Sequence, residues 1–146
     1  MNLFGSRPWY AAGLAFECTQ CGKCCAGPVE GYVWLNLEEL QALAEFLGKP
    51  VKEVQDQCIR FVGSRMTILE ERRTKDCIFL TRDAAGRAGC SVYPVRPAQC
   101  RTWPFWPRNL RGVDAWCEAA RRCQGMNRGP LRDLQEIQDK RDQTHE

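Results

Sequence analysis

The most regular alternation of apolar and polar positions lies in the first half of the chain. Apolar residues recur at helical spacing over 37–47 and again over 51–62, so we expect two helices there. Asn36 precedes the first of them and Glu39 follows three residues later, which predicts a capping box. Glycine is common just beyond the end of a helix, so Gly48 is expected to end the first helix. The pattern therefore predicts a helical hairpin.

Short apolar runs elsewhere predict strands and two further helices. The predicted strands cover 31–35, 66–71, 77–81 and 90–93. Prolines at positions 94, 97, 104 and 107 argue against regular structure up to about residue 108. Beyond them, Asp114 is expected to cap a helix over 115–123. A last helix is expected to begin at Gly129-Pro130 and to carry Leu131, Leu134 and Ile137 on one face.

These elements predict a small, irregular α+β domain with a helical hairpin, a few short strands and C-terminal helices. We find no internal repeat and no low-complexity linker, so a single structural domain is the simplest division. Residues 1–15 form an N-terminal lead-in, residues 16–125 the main domain, and residues 126–146 a C-terminal helix with a charged tail.

Composition indicates that this domain needs more than an apolar core. Leu, Ile, Val and Phe together make up about a fifth of the chain, close to the level at which chains tend towards disorder. Ten of the 146 residues are cysteine. Small domains with lean cores are often stabilised by disulfides or metals. Because the compartment argued below favours metal ligands over disulfides, we predict a metal-stabilised fold.

The sequence also excludes several classes of protein. No stretch approaches the 18 apolar residues that indicate a membrane-spanning helix. His145 is the only histidine, which argues against histidine metal sites and against catalytic Cys/His or Ser/His pairs. The first 17 residues lack the sustained apolar run of a secretory signal, so we expect the protein to reside in the reducing cytoplasm. Clustered cysteines in that compartment are more often metal ligands than disulfides.

The densest cysteine cluster is the segment 18–25. It contains two overlapping Cys-x-x-Cys pairs, and Cys25 follows directly; its cysteines are Cys18, Cys21, Cys24 and Cys25. Such a tight turn brings thiolates together at a small cost in chain entropy, and Gly22 permits the turn. The Cys-x-x-x-Cys-Pro continuation of a bacterial ferredoxin motif is absent from the sequence. The second Cys-x-x-Cys pair of a zinc ribbon is also absent. The cluster therefore indicates a metal without specifying which one, and merely buried or redox-active thiols are the alternative.

The remaining six cysteines divide by position. Cys77, Cys90 and Cys100 lie at short strands or in a proline-restricted turn, where a ligand is more easily presented than in a packed helix. Cys58 lies on the apolar face of the second helix and is expected to pack in the core. Cys117 and Cys123 are six residues apart, so a regular helix cannot aim both at one centre. We assign Cys123 as a ligand and Cys117 to packing.

Five segments of the chain resemble the CxxCxxCC (YkgJ-type) cysteine-cluster family, described as a zinc- or iron-chelating domain and often labelled iron–sulfur oxidoreductases. The segments are Cys18-Thr19-Gln20-Cys21-Gly22-Lys23-Cys24-Cys25, Cys77-Ile78-Phe79-Leu80, Cys90-Ser91-Val92-Tyr93, Arg96-Pro97-Ala98-Gln99-Cys100-Arg101 with Trp103-Pro104-Phe105, and Cys123-Gln124-Gly125. One departure is Gln124, where proline is common. The resemblance implies eight metal ligands, the same set that position selects: Cys18, Cys21, Cys24, Cys25, Cys77, Cys90, Cys100 and Cys123.

The basic residues gain an interpretation from these ligands. The net charge is −3 over residues 1–57 and +6 over residues 58–146. Lys23, Arg96, Arg101 and Arg108 lie beside proposed ligands, where they can donate charge-assisted hydrogen bonds to sulfur. Ordinary surface exposure is the alternative for each of them. The residues Trp103, Phe105 and Trp106 are expected to shield the centre from water or simply to pack in the core.

We therefore expect a metal-binding protein that holds an iron–sulfur cluster, zinc or both, in as many as two centres. An iron–sulfur centre implies a redox or electron-transfer role with a protein partner. The alternative is a zinc-stabilised interaction module without catalytic activity, and metal sequestration or delivery is a further option. A net charge of only +3 without a long basic stripe argues against nucleic acid as a partner. No catalytic acid–base pair is evident, so the sequence leaves enzymatic activity open.

Overall fold

The computed structural model describes residues 7–19, 22 and 31–144 and divides the chain into two compact units. The first unit combines the described residues up to 19 with residues 102–144, and the second comprises those between 20 and 101. In chain order the elements are β1 (Leu14–Phe16), β2 (Trp34–Leu35), α1 (Leu37–Leu47), α2 (Val51–Cys58), β3 (Ile59–Val62), β4 (Arg65–Ile68), β5 (Leu80–Arg82), β6 (Ala88–Cys90), α3 (Ala98–Thr102), α4 (Pro107–Leu110), α5 (Val113–Ala120), β7 (Met126–Arg132) and α6 (Leu134–Gln143). The predicted α+β class is confirmed.

The helical hairpin of the second unit forms as its sequence predicts. Asn36 Oδ1 accepts a hydrogen bond from the Glu39 backbone N–H, and Glu39 Oε1 accepts one from the Asn36 N–H. This is the predicted capping box. Gly48 adopts a left-handed φ of 67° just beyond α1, a conformation that costs glycine little. Local signals therefore fix both ends of α1.

The second helix is shorter than its pattern predicts. We expected a helix over 51–62, but α2 ends at Cys58 and the chain continues directly as β3. Ile59 to Val62 pair antiparallel with β4, which also pairs with β2 to form a three-stranded sheet. Branched and aromatic side chains suit such a strand, and backbone pairing with β4 supplies the bonds that a longer helix would have supplied. Pairing with the next strand therefore overrides the helical periodicity.

The strands near Cys77 and Cys90 also start and end elsewhere than predicted. The strand predicted over 77–81 begins later and runs one residue further as β5, and Cys77 forms an isolated antiparallel bridge with Glu70. The strand expected over 90–93 lies earlier as β6, and a single turn of 3-10 helix follows at Tyr93–Val95. Because β5 and β6 pair antiparallel, they form a short hairpin with Cys90 opposite Leu80.

The proline-containing segment holds short helices, contrary to the expectation of irregular structure. Pro97 immediately precedes α3, and Pro107 is the first residue of α4. Proline is tolerated in a first helical turn because the N–H it lacks has no partner there. Proline spacing therefore limits these helices to about one turn each without preventing them.

The C-terminal helices of the first unit are displaced from their predicted positions. Helix α5 begins at Val113 after Gly112, so Asp114 lies in its first turn and is not its cap. Gly129 and Pro130 lie within β7, which pairs antiparallel with β1, and the last helix begins after Asp133. The Asp133 carboxylate accepts a hydrogen bond from the Glu136 N–H, which explains that start.

Each unit has its own apolar core. The second unit buries Leu35, Leu40, Leu43, Ala44, Val54, Ile59, Ile68, Phe79 and Val92. The first unit buries Tyr10, Phe16, Phe105, Leu110, Trp116, Ala119, Met126 and Ile137. The prediction that Leu131 and Ile137 share one apolar helical face is wrong, because Ile137 is fully buried whereas Leu131, on β7, is 67% exposed. None of the helices in the described ranges has the length and apolar character needed to cross a membrane.

This difference between Leu131 and Ile137 gives a direct test of the strand–helix boundary. We expect Ile137→Ala to lower the free energy of unfolding by about 2–5 kcal/mol, because it removes a fully buried side chain. Leu131→Ala should change it by less than about 0.5 kcal/mol, as exposed substitutions usually do. Urea denaturation followed by circular dichroism measures both. Equal losses of unfolding free energy in the two variants would instead favour one helix that buries both side chains.

Candidate metal centre

Cys18 and Cys123 lie at the same end of the β1–β7 pair in the first unit. The Glu17 N–H donates a hydrogen bond of 3.1 Å to the Gly125 carbonyl, just beyond the paired residues Phe16 and Met126. A Cβ on Gly125 would lie 1.9 Å from the Glu17 carbonyl oxygen, so only glycine fits there. Since Cys18 directly follows Glu17 and Cys123 precedes Gly125 by two residues, this contact brings the two cysteine-bearing segments side by side.

The Cys123 sulfur accepts a hydrogen bond from an aromatic side chain. Trp103 Nε1 lies 3.4 Å from Cys123 Sγ, and the Trp103 ring meets Trp106 edge to face at 4.8 Å between centroids. Phe105 is fully buried between Phe16 and Trp116 in the core. The three residues expected to shield the centre therefore differ in role: Trp103 contacts a predicted ligand, whereas Phe105 is a core residue.

Cys77 and Cys90 lie at the β5–β6 hairpin of the second unit. The Cys77 carbonyl accepts a hydrogen bond of 2.9 Å from the Leu80 N–H, and Leu80 is in turn paired with Cys90. Both thiols are half-buried and pack against the apolar core of the unit. The turn after Cys77 and the strand pairing thus place both predicted ligands on one small element.

Gly22, the described residue of the cysteine-rich segment between Cys21 and Cys24, lies close to this hairpin. Its φ is 77°, and a Cβ built on it would lie 2.4 Å from the Ala88 Cβ and 3.1 Å from Leu80 Cδ1. The Gly22 backbone therefore lies directly against β5 and β6, and a side chain larger than hydrogen would not fit. Sequence reasoning identified Gly22 as a turn residue, but the close approach to Ala88 has no sequence signal.

Cys100 lies half-buried on the single turn of α3, between two of the predicted counter-charges. Arg101 Nε donates to the Arg96 carbonyl at 3.0 Å, and Arg96 Nε donates to the Tyr93 carbonyl at 3.1 Å. The Arg96 guanidinium also stacks on the Tyr93 ring at 3.8 Å. Both arginine side chains thus donate hydrogen bonds to backbone carbonyls near Cys100. Their predicted hydrogen bonds to sulfur stay a prediction.

The described residues do not by themselves complete a metal site. Within residues 7–19, 22 and 31–144, no three cysteine, histidine or acidic side chains are grouped so that they could hold a metal ion. Four predicted site residues, Lys23, Cys21, Cys24 and Cys25, lie outside the described residues. The eight-cysteine ligand set therefore stays a prediction, of which the structure places five members: Cys18, Cys77, Cys90, Cys100 and Cys123.

The two cysteines assigned to packing have different environments. Cys58, the last residue of α2, packs against the core of the second unit as expected. Burial raises the pKa of the Cys58 thiol, and the positive charge of Lys49 offsets part of that rise. Cys117 is exposed on α5, so its assignment to packing is wrong. Its neighbour Trp116 faces the core and Cys117 points away from it, as adjacent helical positions do.

The two thiols should consequently differ in reactivity. At pH 7–8 we expect iodoacetamide to modify Cys117 well before Cys58, because the thiolate is the reactive form and burial disfavours it at Cys58. The rate at Cys58 should keep rising as the pH increases beyond 9. Timed alkylation with peptide mass mapping measures both rates, and urea-unfolded protein, in which they should converge, is the control. Equal rates in the folded protein would contradict this assignment.

These features define a small α+β domain with cysteines concentrated on two short strand pairs and one helical turn. The sequence model of the CxxCxxCC family, described as "Putative zinc- or iron-chelating domain", matches residues 17–129. The chain belongs to this family.

One curated relative is Uncharacterized protein MJ0661 of Methanocaldococcus jannaschii. It is 31% identical over 125 residues, which cover 82% of this chain and 63% of the relative. The chain thus spans less than two thirds of the length of that protein. No solved structure matches the chain.

Proposed function

We propose that this chain is a metal-binding domain whose cysteine thiolates hold an iron–sulfur cluster or zinc. The ligands are the eight cysteines assigned from the sequence. The observation that carries the proposal is the contact of Gly22 with Ala88. It supports a site in which the segment 18–25 supplies thiolates beside the hairpin that bears Cys77 and Cys90. Thiolates suit both zinc and iron–sulfur clusters, so the donor set fits either centre.

The surroundings of the described thiols support binding in the thiolate form. The Trp103 N–H group supplies Cys123 with a hydrogen bond, and such bonds stabilise metal-bound sulfur and tune its redox potential. The half-buried positions of Cys77, Cys90, Cys100 and Cys123 limit water without excluding it. A reducing compartment such as the cytoplasm would keep these thiols available.

An iron–sulfur centre would give the domain an electron-transfer role. When bound, such a cluster supplies one-electron redox chemistry. The chain's own residues would hold the cluster, restrict water at it and supply hydrogen bonds to its sulfur ligands. Because one-electron transfer needs a donor and an acceptor, a redox partner protein belongs to this version of the proposal.

A zinc-stabilised interaction module is the second candidate, and the separation of the core into two small clusters favours it. Within the part of the chain that the structure describes, each unit buries only eight or nine core residues. Domains of that size often need an added cross-link, and a structural zinc contributes of order 10 kcal/mol to folding.

Anaerobic purification followed by a visible spectrum and assays for iron, zinc and acid-labile sulfide tests both candidates. Broad visible absorption near about 400 nm, together with sulfide and iron, would establish the iron–sulfur centre. A colourless protein with stoichiometric zinc would establish the structural module and contradict the redox role. A protein without metal whose cysteines are paired as disulfides would contradict the whole proposal.

A further inference from the structure

The segment that carries Cys100 is held in the second unit by the carboxylate of Glu39. Glu39 Oε1 accepts the Asn36 N–H within the capping box, and Glu39 Oε2 accepts the Ala98 N–H. One half-buried carboxylate therefore joins the start of α1 to the start of α3. Ala98 is two residues before Cys100 and lies in the same helical turn.

A second attachment comes from Gln99, the residue directly before Cys100. Gln99 is only 3% exposed. Its Oε1 accepts the Trp34 N–H at 2.7 Å, and its Nε2 donates to the Tyr32 carbonyl at 3.0 Å. A side-chain amide can accept at its oxygen and donate at its nitrogen at the same time. The pair of bonds fixes α3 against the backbone of β2 and of Tyr32, two residues before that strand.

We propose that Glu39 and Gln99 are positioning residues that hold Cys100 in place for metal binding. This inference rests on the metal-binding function proposed above. A helix of five residues is too short to be stable alone, so its position depends on outside contacts. Both attachments act within two residues of Cys100, and neither involves a sulfur atom. Ligands held by such supporting bonds bind metal more tightly than ligands left to move.

Two substitutions weaken the attachments, and two matched substitutions leave them intact. Glu39→Gln leaves one acceptor oxygen for two backbone N–H groups, and Gln99→Met removes both amide bonds at nearly the same volume. Asn36→Ala removes the α1 cap but keeps the Glu39–Ala98 bond. Glu38→Gln makes the same charge change on the same turn at an exposed residue.

The test is a titration of the metal-free full chain with cobalt(II), whose visible spectrum reports thiolate coordination. We expect Glu39→Gln and Gln99→Met to weaken cobalt binding by about 10–100-fold and to alter the spectrum, as losses of supporting bonds do at other metal sites. Asn36→Ala should lower the melting temperature while leaving affinity and spectrum unchanged, and Glu38→Gln should match the wild type throughout.

The outcomes separate this inference from the proposed function. Wild-type affinity and spectrum in Glu39→Gln would overturn the positioning role, and so would equal weakening in Asn36→Ala. If Gln99→Met fails to fold, Glu39→Gln with its two controls still decides the question. A wild-type chain that binds no cobalt would overturn the metal-binding function itself.

Discussion

We expect Cys100→Ser to strip the protein of its metal and Cys58→Ala to leave the metal content unchanged. Serine is nearly isosteric with cysteine but is a far weaker ligand for zinc or iron, so the substitution removes a thiolate with little change in packing. We expect metal affinity to fall by more than about a hundredfold, since changes outside the ligand sphere already cost about 10–100-fold. The melting temperature should fall with it, because metal binding and folding are coupled.

Cys58→Ala is the matched control because Cys58 is a half-buried cysteine of the same unit that the proposal leaves outside the ligand set. It should lower stability slightly through lost packing and retain stoichiometric metal. Metal analysis of the two variants after gel filtration, alongside their thermal unfolding, makes the comparison. Equal metal loss in both would show that the division into eight ligands and two other cysteines is wrong. Retention in Cys100→Ser would remove that residue from the set.

Gly22→Ala will have a comparably large effect, although it changes no ligand. The added Cβ would lie 2.4 Å from the Ala88 Cβ, and the residue would be held at φ 77°. The Gly22 backbone would have to move away from the β5–β6 hairpin to relieve this contact. We expect weakened metal binding together with lower stability, measured by cobalt titration and thermal unfolding.

Gly86→Ala separates backbone strain from the close approach. Gly86 has φ 80°, similar to that of Gly22, but a Cβ there meets nothing within 4 Å. An alanine at that position costs about 1 kcal/mol in a left-handed conformation, and we expect it to leave metal binding intact. If the two variants prove indistinguishable in metal affinity, the contact between Gly22 and Ala88 has no part in forming the site.

Local signals made part of the fold predictable. The capping box of Asn36 and Glu39 and the left-handed Gly48 are encoded within a few residues, so the bounds of α1 follow from the sequence. The end of α2 does not, because Ile59 to Val62 continue a helical pattern until pairing with β4 makes them a strand. Pro130 likewise reads as a helix start and instead lies in β7.

The candidate site shows the same division between local and distant information. Cysteine spacing indicated the candidate ligands, and the arginines beside them were evident from the sequence. The hydrogen bond from Trp103 to Cys123 spans 20 residues, and the bond from Ala98 to Glu39 spans 59. Neither has a motif, because the partners meet only after the chain folds. Contacts between distant parts of the chain, around the candidate ligands, were therefore the part that sequence reasoning missed.

Native mass spectrometry of the anaerobically purified full chain tests the central claim most directly. The account predicts a mass above that of the metal-free polypeptide, by one or two zinc ions or by the iron and sulfide of a cluster. The excess should disappear after unfolding in acid with a chelator. A folded chain at its metal-free mass, or at that mass less two hydrogens for each disulfide, would contradict the claim that this is a metal-binding domain.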